Sequence, residues 1–207
     1  MKIAKNKSTI KIIAGKFKGI HLEMPPSSQT RSSKSILKES LFNTLGAEVI
    51  GTCFIEAFAG IGSIGLEALS RGAKEALFFE QNPAAFQTLA KNIAFLHAKD
   101  PAISTNCFLG DTFALLPEAI RKIQTPKIIY LDPPFSFRQD CAGIYEKCIL
   151  LLQEILDLNL FLIIFEHLSD EKLPKNIGHF SIIRQKKFGK SSLSYYAPSQ
   201  YAKESNG

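Results

Sequence analysis

The chain has 207 residues, 45% hydrophobic and 21% charged, with a net charge of +6. That length suits one domain with a small appendage, and that balance excludes wholesale disorder. The most apolar stretch, 148–165, is broken by Gln153, Glu154, Asp157 and Asn159, which argues against a membrane span.

Thr9 to Met24 alternates apolar and polar residues around Gly15-Lys16-Phe17-Lys18-Gly19 and predicts a β-hairpin with basic residues at its turn. A Pro/Ser-rich loop follows, from Pro25 to Ser33. Residues 33–45 carry Ile36, Leu37, Leu41 and Leu45 at helical spacing, with a serine available as N-cap. A regular alternation then begins. Strands are expected at Cys53–Phe58, Ala76–Glu80, Ser104–Leu109, Lys127–Leu131 and Leu160–Glu166. Helices are expected at Gly62–Arg71, from Asn82-Pro83 to about Leu96, at Phe113–Lys122 and at Arg138–Leu156. Asn82 is a good N-cap, and proline suits the first helical position after it. Phe180–Arg184 and Leu193–Tyr196 have no helix between them and read as a terminal hairpin. Strands that alternate with helices imply an α/β fold, a mostly parallel sheet with helices on both faces.

The opening Met1-Lys2-Ile3-Ala4-Lys5 precedes no apolar run of signal-peptide length, and a cytoplasmic location is expected. Cys53, Cys107, Cys141 and Cys148 show no C-x-x-C spacing; Cys53 and Cys107 sit in strand-like runs, so buried free thiols are expected. The four histidines show no metal-ligand spacing, and no metal is expected. Charge is unevenly spread. Residues 1–40 hold nine Lys/Arg against Glu23 and Glu39, a balance of +7, and residues 170–207 hold +4, which leaves −5 for the centre. A basic arm of this kind commonly meets a polyanion, although a solvated surface has the same composition.

Two segments carry chemistry. Glu56-Ala57-Phe58-Ala59-Gly60-Ile61-Gly62-Ser63-Ile64-Gly65 stands at a strand-to-helix junction with Gly60, Gly62 and Gly65 in the G-x-G-x-x-G pattern. Such glycines let the backbone turn sharply and approach a ligand. Glu80 ends the next strand, where a carboxylate can accept hydrogen bonds from both ribose hydroxyls of an adenosine. Asp111, in Leu109-Gly110-Asp111, can hold the adenine amino group. These features suit a nicotinamide cofactor and S-adenosylmethionine equally. The second segment separates them. The apolar strand Lys127–Leu131 empties into Asp132-Pro133-Pro134-Phe135, at the end of the sheet where ligands bind. The prolines stiffen the loop and remove two backbone donors. The amino group of a nucleobase is a poor nucleophile, because its lone pair is delocalised into the ring. The Asp132 carboxylate and Pro133 carbonyl can accept its two N–H groups, aim the lone pair and stabilise the positive charge that develops. Phe135 offers a ring on which an extruded base can stack, worth ~1–3 kcal/mol.

On these segments the chain resembles the bacterial small-subunit (16S) ribosomal RNA (guanine-N2)-methyltransferases of the RsmD type. Nearly the whole chain is covered. Ile12-Ile13-Ala14-Gly15-Lys16-Phe17-Lys18-Gly19 is similar to that family's opening hairpin and Glu39-Ser40-Leu41-Phe42-Asn43 to its first helix. Phe58-Ala59-Gly60-x-Gly62 with Gly65–Ala73 is similar to its cofactor loop and helix, and Phe188–Leu193 to the segment before its last strand. The resemblance implies a Rossmann-like class I methyltransferase fold. It implies a seven-stranded sheet in residues 47–207 and a basic, RNA-facing hairpin and helix in residues 1–46. It implies S-adenosylmethionine as cofactor, held by Glu56, Phe58, Gly60, Gly62, Gly65, Glu80, Gln81, Gly110 and Asp111, with Asp132, Pro133, Pro134 and Phe135 as the catalytic motif. The implied partner is ribosomal RNA or the small-subunit particle, bound by a monomer. Lys11, Lys16, Lys18, Arg31, Lys34 and Lys38 are the candidate phosphate contacts, helped by Lys186, Lys187 and Lys190. Departures are Glu56 where the family usually has Asp, Ile61 where it usually has Ser, and a 31–36 loop without the usual Pro-Thr and acidic residue.

Rival readings are an amino-methyltransferase acting on adenine or cytosine in DNA, a NAD-dependent oxidoreductase and a catalytically silent RNA-binding assembly factor. The chain has little room for the target-recognition segments usual in the first. It has no catalytic His–carboxylate pair for the second, and the intact Asp132 argues against the third.

Overall fold

A computed structural model describes residues 9–25, 31–134 and 143–199. Strands β1 (Thr9–Lys11) and β2 (His21–Glu23) form the opening hairpin, and helix α1 (Arg31–Leu45) follows it. The alternation continues through β3 (Cys53–Glu56), α2 (Gly65–Ser70), β4 (Glu75–Glu80), α3 (Pro83–Lys99), β5 (Ser104–Leu109) and α4 (Thr112–Arg121). It ends with β6 (Lys127–Leu131), α5 (Ile144–Ile155), β7 (Leu160–Leu168), β8 (Asn176–Ile177), β9 (Phe180–Phe188) and β10 (Ser191–Pro198). Asn82 caps α3 as its sequence suggests, accepting from the N–H groups of Ala84 and Ala85, with Pro83 next.

The strands of the main sheet run in the order β5-β4-β3-β6-β7-β10-β9-β8. The first five are parallel; β10, β9 and β8 are antiparallel additions. The sheet thus has eight strands where seven are expected from sequence. The extra one, β8, is two residues long, too short to show any period of its own. No described helix is long and apolar enough to cross a membrane.

Strands in the middle of the sheet are apolar on both sides, because helices cover both faces. On one face Phe54, Phe78, Ile128, Tyr130 and Ile164 pack with Leu37, Leu41 and Phe42 of α1, with Leu66 of α2 and with Ile10, Ile12, Phe17 and Leu22 of the hairpin region. On the other, Ile55, Leu77, Phe79, Ile129 and Phe165 meet Leu116 and Ile120 of α4 and Cys148, Leu151 and Leu152 of α5. The hairpin and α1 therefore share one apolar core with the sheet.

Polar ties add to that packing. The Glu67 carboxylate of α2 accepts from the backbone N–H groups of Ile13 (2.8 Å) and Ala14 (3.0 Å). It also pairs with Lys38 (3.2 Å) and Arg71 (2.8 Å). A side chain on Gly15 would collide with the carbonyl of Ser70, so only glycine lets the hairpin lie this close to the end of α2. Of the four cysteines, Cys53 and Cys148 are buried, and Cys141 lies outside the described residues. Cys107 is exposed, against expectation. It sits on β5, an edge strand whose residues are mostly exposed or half-exposed, so an apolar-looking run there is only partly covered.

Candidate active site

The sheet reverses its strand order between β3 and β6. Loops after two such strands leave in opposite directions and open a crevice at their carboxyl ends. A cleft of about 630 Å³ lies at this place, within the usual range for a cofactor site.

Glu56, at the end of β3, Phe58, Ala59, Gly60, Ile61, Ser63 and Ile64 form one wall. Gly60 (φ +55) has open space where a Cβ would stand, so its bare backbone faces the cleft. Gly62 (φ +81) does not line the cleft. A Cβ there would point inward against Leu89 and Phe78. Gly65 is also a packing glycine, since a Cβ would meet Phe78 and the Glu56 carboxylate. The glycine pattern therefore combines one residue that bares the backbone with two that let the helix approach the sheet. Gly110, outside the cleft lining, packs against Leu115.

Glu80, with Gln81 and Asn82, forms the wall after β4. Its carboxylate accepts from the N–H groups of Gly60 and Asn82, both at 2.7 Å, which fixes it at the mouth of the glycine loop. Each carboxylate oxygen retains a further acceptor lone pair. Asp111 caps α4 through the N–H of Phe113 (3.0 Å) and lines the cleft with Thr112 and Phe113. Glu56 is buried and accepts from the N–H groups of Gly65 (2.8 Å) and Ile64 (3.3 Å). The extra methylene is thus accommodated by turning the carboxylate onto the start of α2. Burial pushes its pKa up to about 8; those two hydrogen bonds oppose the shift, and the charge of Asp132 adds to it.

Asp132 and Pro134 line the floor beyond β6, and Pro133 between them is buried. Phe135 lies outside the described residues. One strand over, Glu166 of β7 lines the same cleft and is buried. Tyr130, also in the lining, donates its hydroxyl to Glu166.

A family model described as Conserved hypothetical protein 95 matches residues 10–197. The chain belongs to this family, the RsmD-type methyltransferases. Ribosomal RNA small subunit methyltransferase D of Escherichia coli K12 is 31% identical over 188 residues, 90% of this chain and 89% of that protein. The solved structure of yhhF from Escherichia coli has a TM-score of 0.72 at 29% identity, covering 92% of this chain and 98% of that one. The SAM-dependent methyltransferase NGO1261 of Neisseria gonorrhoeae has a TM-score of 0.55 at 20% identity, covering 78% of this chain and 71% of that one, and shows the same fold. The fold is that of the class I methyltransferases, with a Rossmann-like sheet.

The basic residues expected to meet phosphate are placed unevenly in this member of the family. Lys11, Lys18, Lys187 and Lys190 are exposed. Lys16 is exposed but pairs with Asp100 at 2.6 Å. Lys186 is half-buried and donates to the Thr44 hydroxyl (2.8 Å). Lys38 corrects the expectation outright. It is buried on the inner face of α1, paired with Glu67 and donating to the Lys11 carbonyl, and its ammonium cannot reach a phosphate. Burial lowers its pKa, opposed by Glu67. Arg31 and Lys34 stand in the first turns of α1, and their side chains lie outside the described residues.

Sequence reasoning overlooked several residues. Ile10, Met24, Pro25 and Leu37 place the hairpin and α1 in the cleft wall. No local signal marks them, because their role depends on a long-range contact. Asn92 of α3 accepts from Glu23 N–H and donates to the carbonyls of Glu23 and Ile61, clamping the hairpin to the glycine loop. Glu166 carried a usable signal: a carboxylate at the carboxyl end of a parallel strand, where ligands bind.

Proposed function

We propose that the protein transfers a methyl group from S-adenosylmethionine to the N2 amino group of a guanine in small-subunit ribosomal RNA. The observation that carries this reading is that Asp132 and Pro134, which flank the buried Pro133, line the same cleft as Gly60, Glu80 and Asp111. The relative named for ribosomal RNA small subunit methylation, matched over 90% of this chain, supports the RNA as substrate.

The cleft fits the cofactor. Gly60 leaves open space beside the Glu80 carboxylate, where a ribose can lie, and Asp111, Thr112 and Phe113 close the end suited to adenine. Glu56, which feels the charge of Asp132, lines the cleft at the end suited to the methionine portion. When bound, S-adenosylmethionine supplies an electrophilic methyl group. The Asp132 carboxylate and the Pro133 carbonyl accept the two N–H groups of the target amine and aim its lone pair. As the nitrogen gains positive charge, the fixed negative dipoles stabilise it without reorganising. The methylated nitrogen is then acidic, so its proton passes readily to Asp132 or to water. Phe135 is the residue on which the base stacks.

The acidic cleft needs an attraction for RNA from elsewhere, and the exposed Lys11, Lys18, Lys187 and Lys190 supply it. The experiment is methylation of small subunits isolated from cells lacking the protein. Mass spectrometry of digested nucleosides should show N2-methylguanosine only with protein and S-adenosylmethionine together. Methylated adenosine or cytidine in its place would assign a different target.

A further inference from the structure

We propose that Glu166 selects guanine by accepting a hydrogen bond from the ring N1–H, beside the amino group held by Asp132. This inference rests on the functional reading above and assigns a residue to base selection within the same cleft.

Strands β6 and β7 are parallel neighbours, with Leu131 opposite Phe165 and Tyr130 opposite Ile164. Asp132 and Glu166 each stand one residue beyond the last pair, side by side at the carboxyl end of the sheet. Alternation along β7 places the Glu166 side chain on the face of Ile164, where it meets Tyr130, and Asp132 follows directly on the last residue of β6. Both carboxylates line the one cleft. The Tyr130 hydroxyl donates to Oε2 of Glu166 and orients the carboxylate. Burial holds the Tyr130 pKa well above its usual value, with the neighbouring Glu166 charge adding to the shift, so the hydroxyl stays a donor.

The chemistry of the bases decides what such a pair can read. Guanine carries a ring N–H directly next to its exocyclic amine. In adenine and cytosine the ring nitrogen next to the amine is a lone-pair acceptor. A second carboxylate beside the one that holds the amine therefore attracts guanine and repels the other two. A site built around a hydrogen bond to a substrate donor discriminates strongly against an analogue lacking it, because its buried polar group is left unmatched. A carboxylate can accept several hydrogen bonds, so Tyr130 and the base can share Glu166.

The test uses 2-aminopurine, which keeps the amine but has a lone pair at N1. Small subunits are reconstituted with rRNA carrying guanine or 2-aminopurine at the methylated position, and kcat/KM is measured for each. The wild-type protein should prefer guanine by roughly a hundredfold or more. In Glu166→Gln the Tyr130 hydroxyl holds the amide oxygen, which turns the NH2 group towards the base. Guanine methylation should then fall by roughly tenfold to a hundredfold, while the 2-aminopurine rate holds or rises, so that the preference collapses. Tyr130→Phe should slow guanine methylation but keep the preference. A wild-type protein that methylates both bases equally, or a Glu166→Gln variant with an unchanged ratio, overturns the proposal. The wild-type comparison needs no variant to fold. Failure of the functional reading looks different, since wild type would then methylate no guanine at all.

Discussion

Gly62 illustrates how one residue's role depends on the direction of an absent Cβ. Read as part of a glycine pattern, it belongs to the cofactor loop, and a valine there should obstruct the ligand. In the fold a side chain at this position points into the core at Leu89, on a backbone with φ +81. Gly62→Val is therefore expected to cost ~2–5 kcal/mol of stability, from overpacking and a branched residue held at positive φ. Urea unfolding should show this loss, and calorimetry should show near-normal S-adenosylhomocysteine affinity in the protein that remains folded. A variant of normal stability with no binding would restore the obstruction account. Asp132→Ala belongs to the opposite class: cofactor affinity should survive while methyl transfer falls by ~10²–10³. A turnover matching wild type would remove Asp132 from the mechanism. Glu56 adds a pH dependence. Its folded pKa of about 8 lies above the usual carboxylate value, so the native state binds more protons than the unfolded one in between. Stability from this group therefore declines as pH rises from about 4.5 to about 8 and is fully lost above that. Glu56→Gln should flatten the decline, and melting temperatures of both proteins at pH 6 and pH 9 measure it. Parallel declines would mean that Glu56 ionises as an ordinary carboxylate.

The same dependence on distant partners governs the elements. The strands β1 and β2 are three residues each, too short to stand alone in water. They persist because Ile10, Ile12, Phe17 and Leu22 enter the sheet's core, Asn92 holds the backbone of Glu23, and Glu67 holds that of Ile13 and Ala14 between the strands. Glu67→Ala would leave the buried Lys38 ammonium without its counter-charge and the half-buried N–H groups of Ile13 and Ala14 without their acceptor. We expect a loss of ~3–5 kcal/mol and rapid amide exchange over residues 9–23, measured by hydrogen exchange. Since Ile10, Met24 and Pro25 line the cleft, cofactor affinity should weaken with it. Normal protection of the hairpin would show that apolar packing alone holds it. The hairpin's period-2 alternation is visible in sequence; its contact with α2 is not, because residues 13–17 and 67–71 are remote along the chain.

At the scale of the whole molecule, the charge split becomes a surface with two sides. In the β9–β10 ladder Lys186 lies opposite Leu193 and Lys187 opposite Ser192, so the two lysines project from opposite faces of the sheet. Lys186 turns to Thr44 of α1, on the hairpin's side. Lys11 and Lys18 are exposed on the hairpin, whereas Lys16 is engaged by Asp100. An RNA that follows the hairpin face is expected to depend on Lys11 and Lys18 more than on Lys187. Replacing Lys11 and Lys18 with Gln should weaken binding to small subunits and reduce the slope of log affinity against log salt by ~0.7–0.9 per lost phosphate contact. Filter binding at several salt concentrations measures it. Equal slopes for wild type and double variant, with a reduced slope for Lys187→Gln, would move the RNA to the opposite face.

The sequence by itself determined the alternating βα order, the cap at Asn82, the glycine turn after β3 and the acid-proline loop after β6. Each of these is written in local chemistry: a hydrophobic period, a side chain that can cap, a residue without a Cβ, a ring that fixes φ. Tertiary structure alone decided which glycine bares the backbone to the cleft and which packs against Phe78, that Lys38 is buried while Lys18 is exposed, that Cys107 lies on an open edge, and that Glu166 comes to stand beside Asp132. The division has a physical origin. Local conformation depends on near neighbours in the chain, whereas burial, pairing and electrostatic environment depend on partners that only the packed sheet brings within a few ångströms.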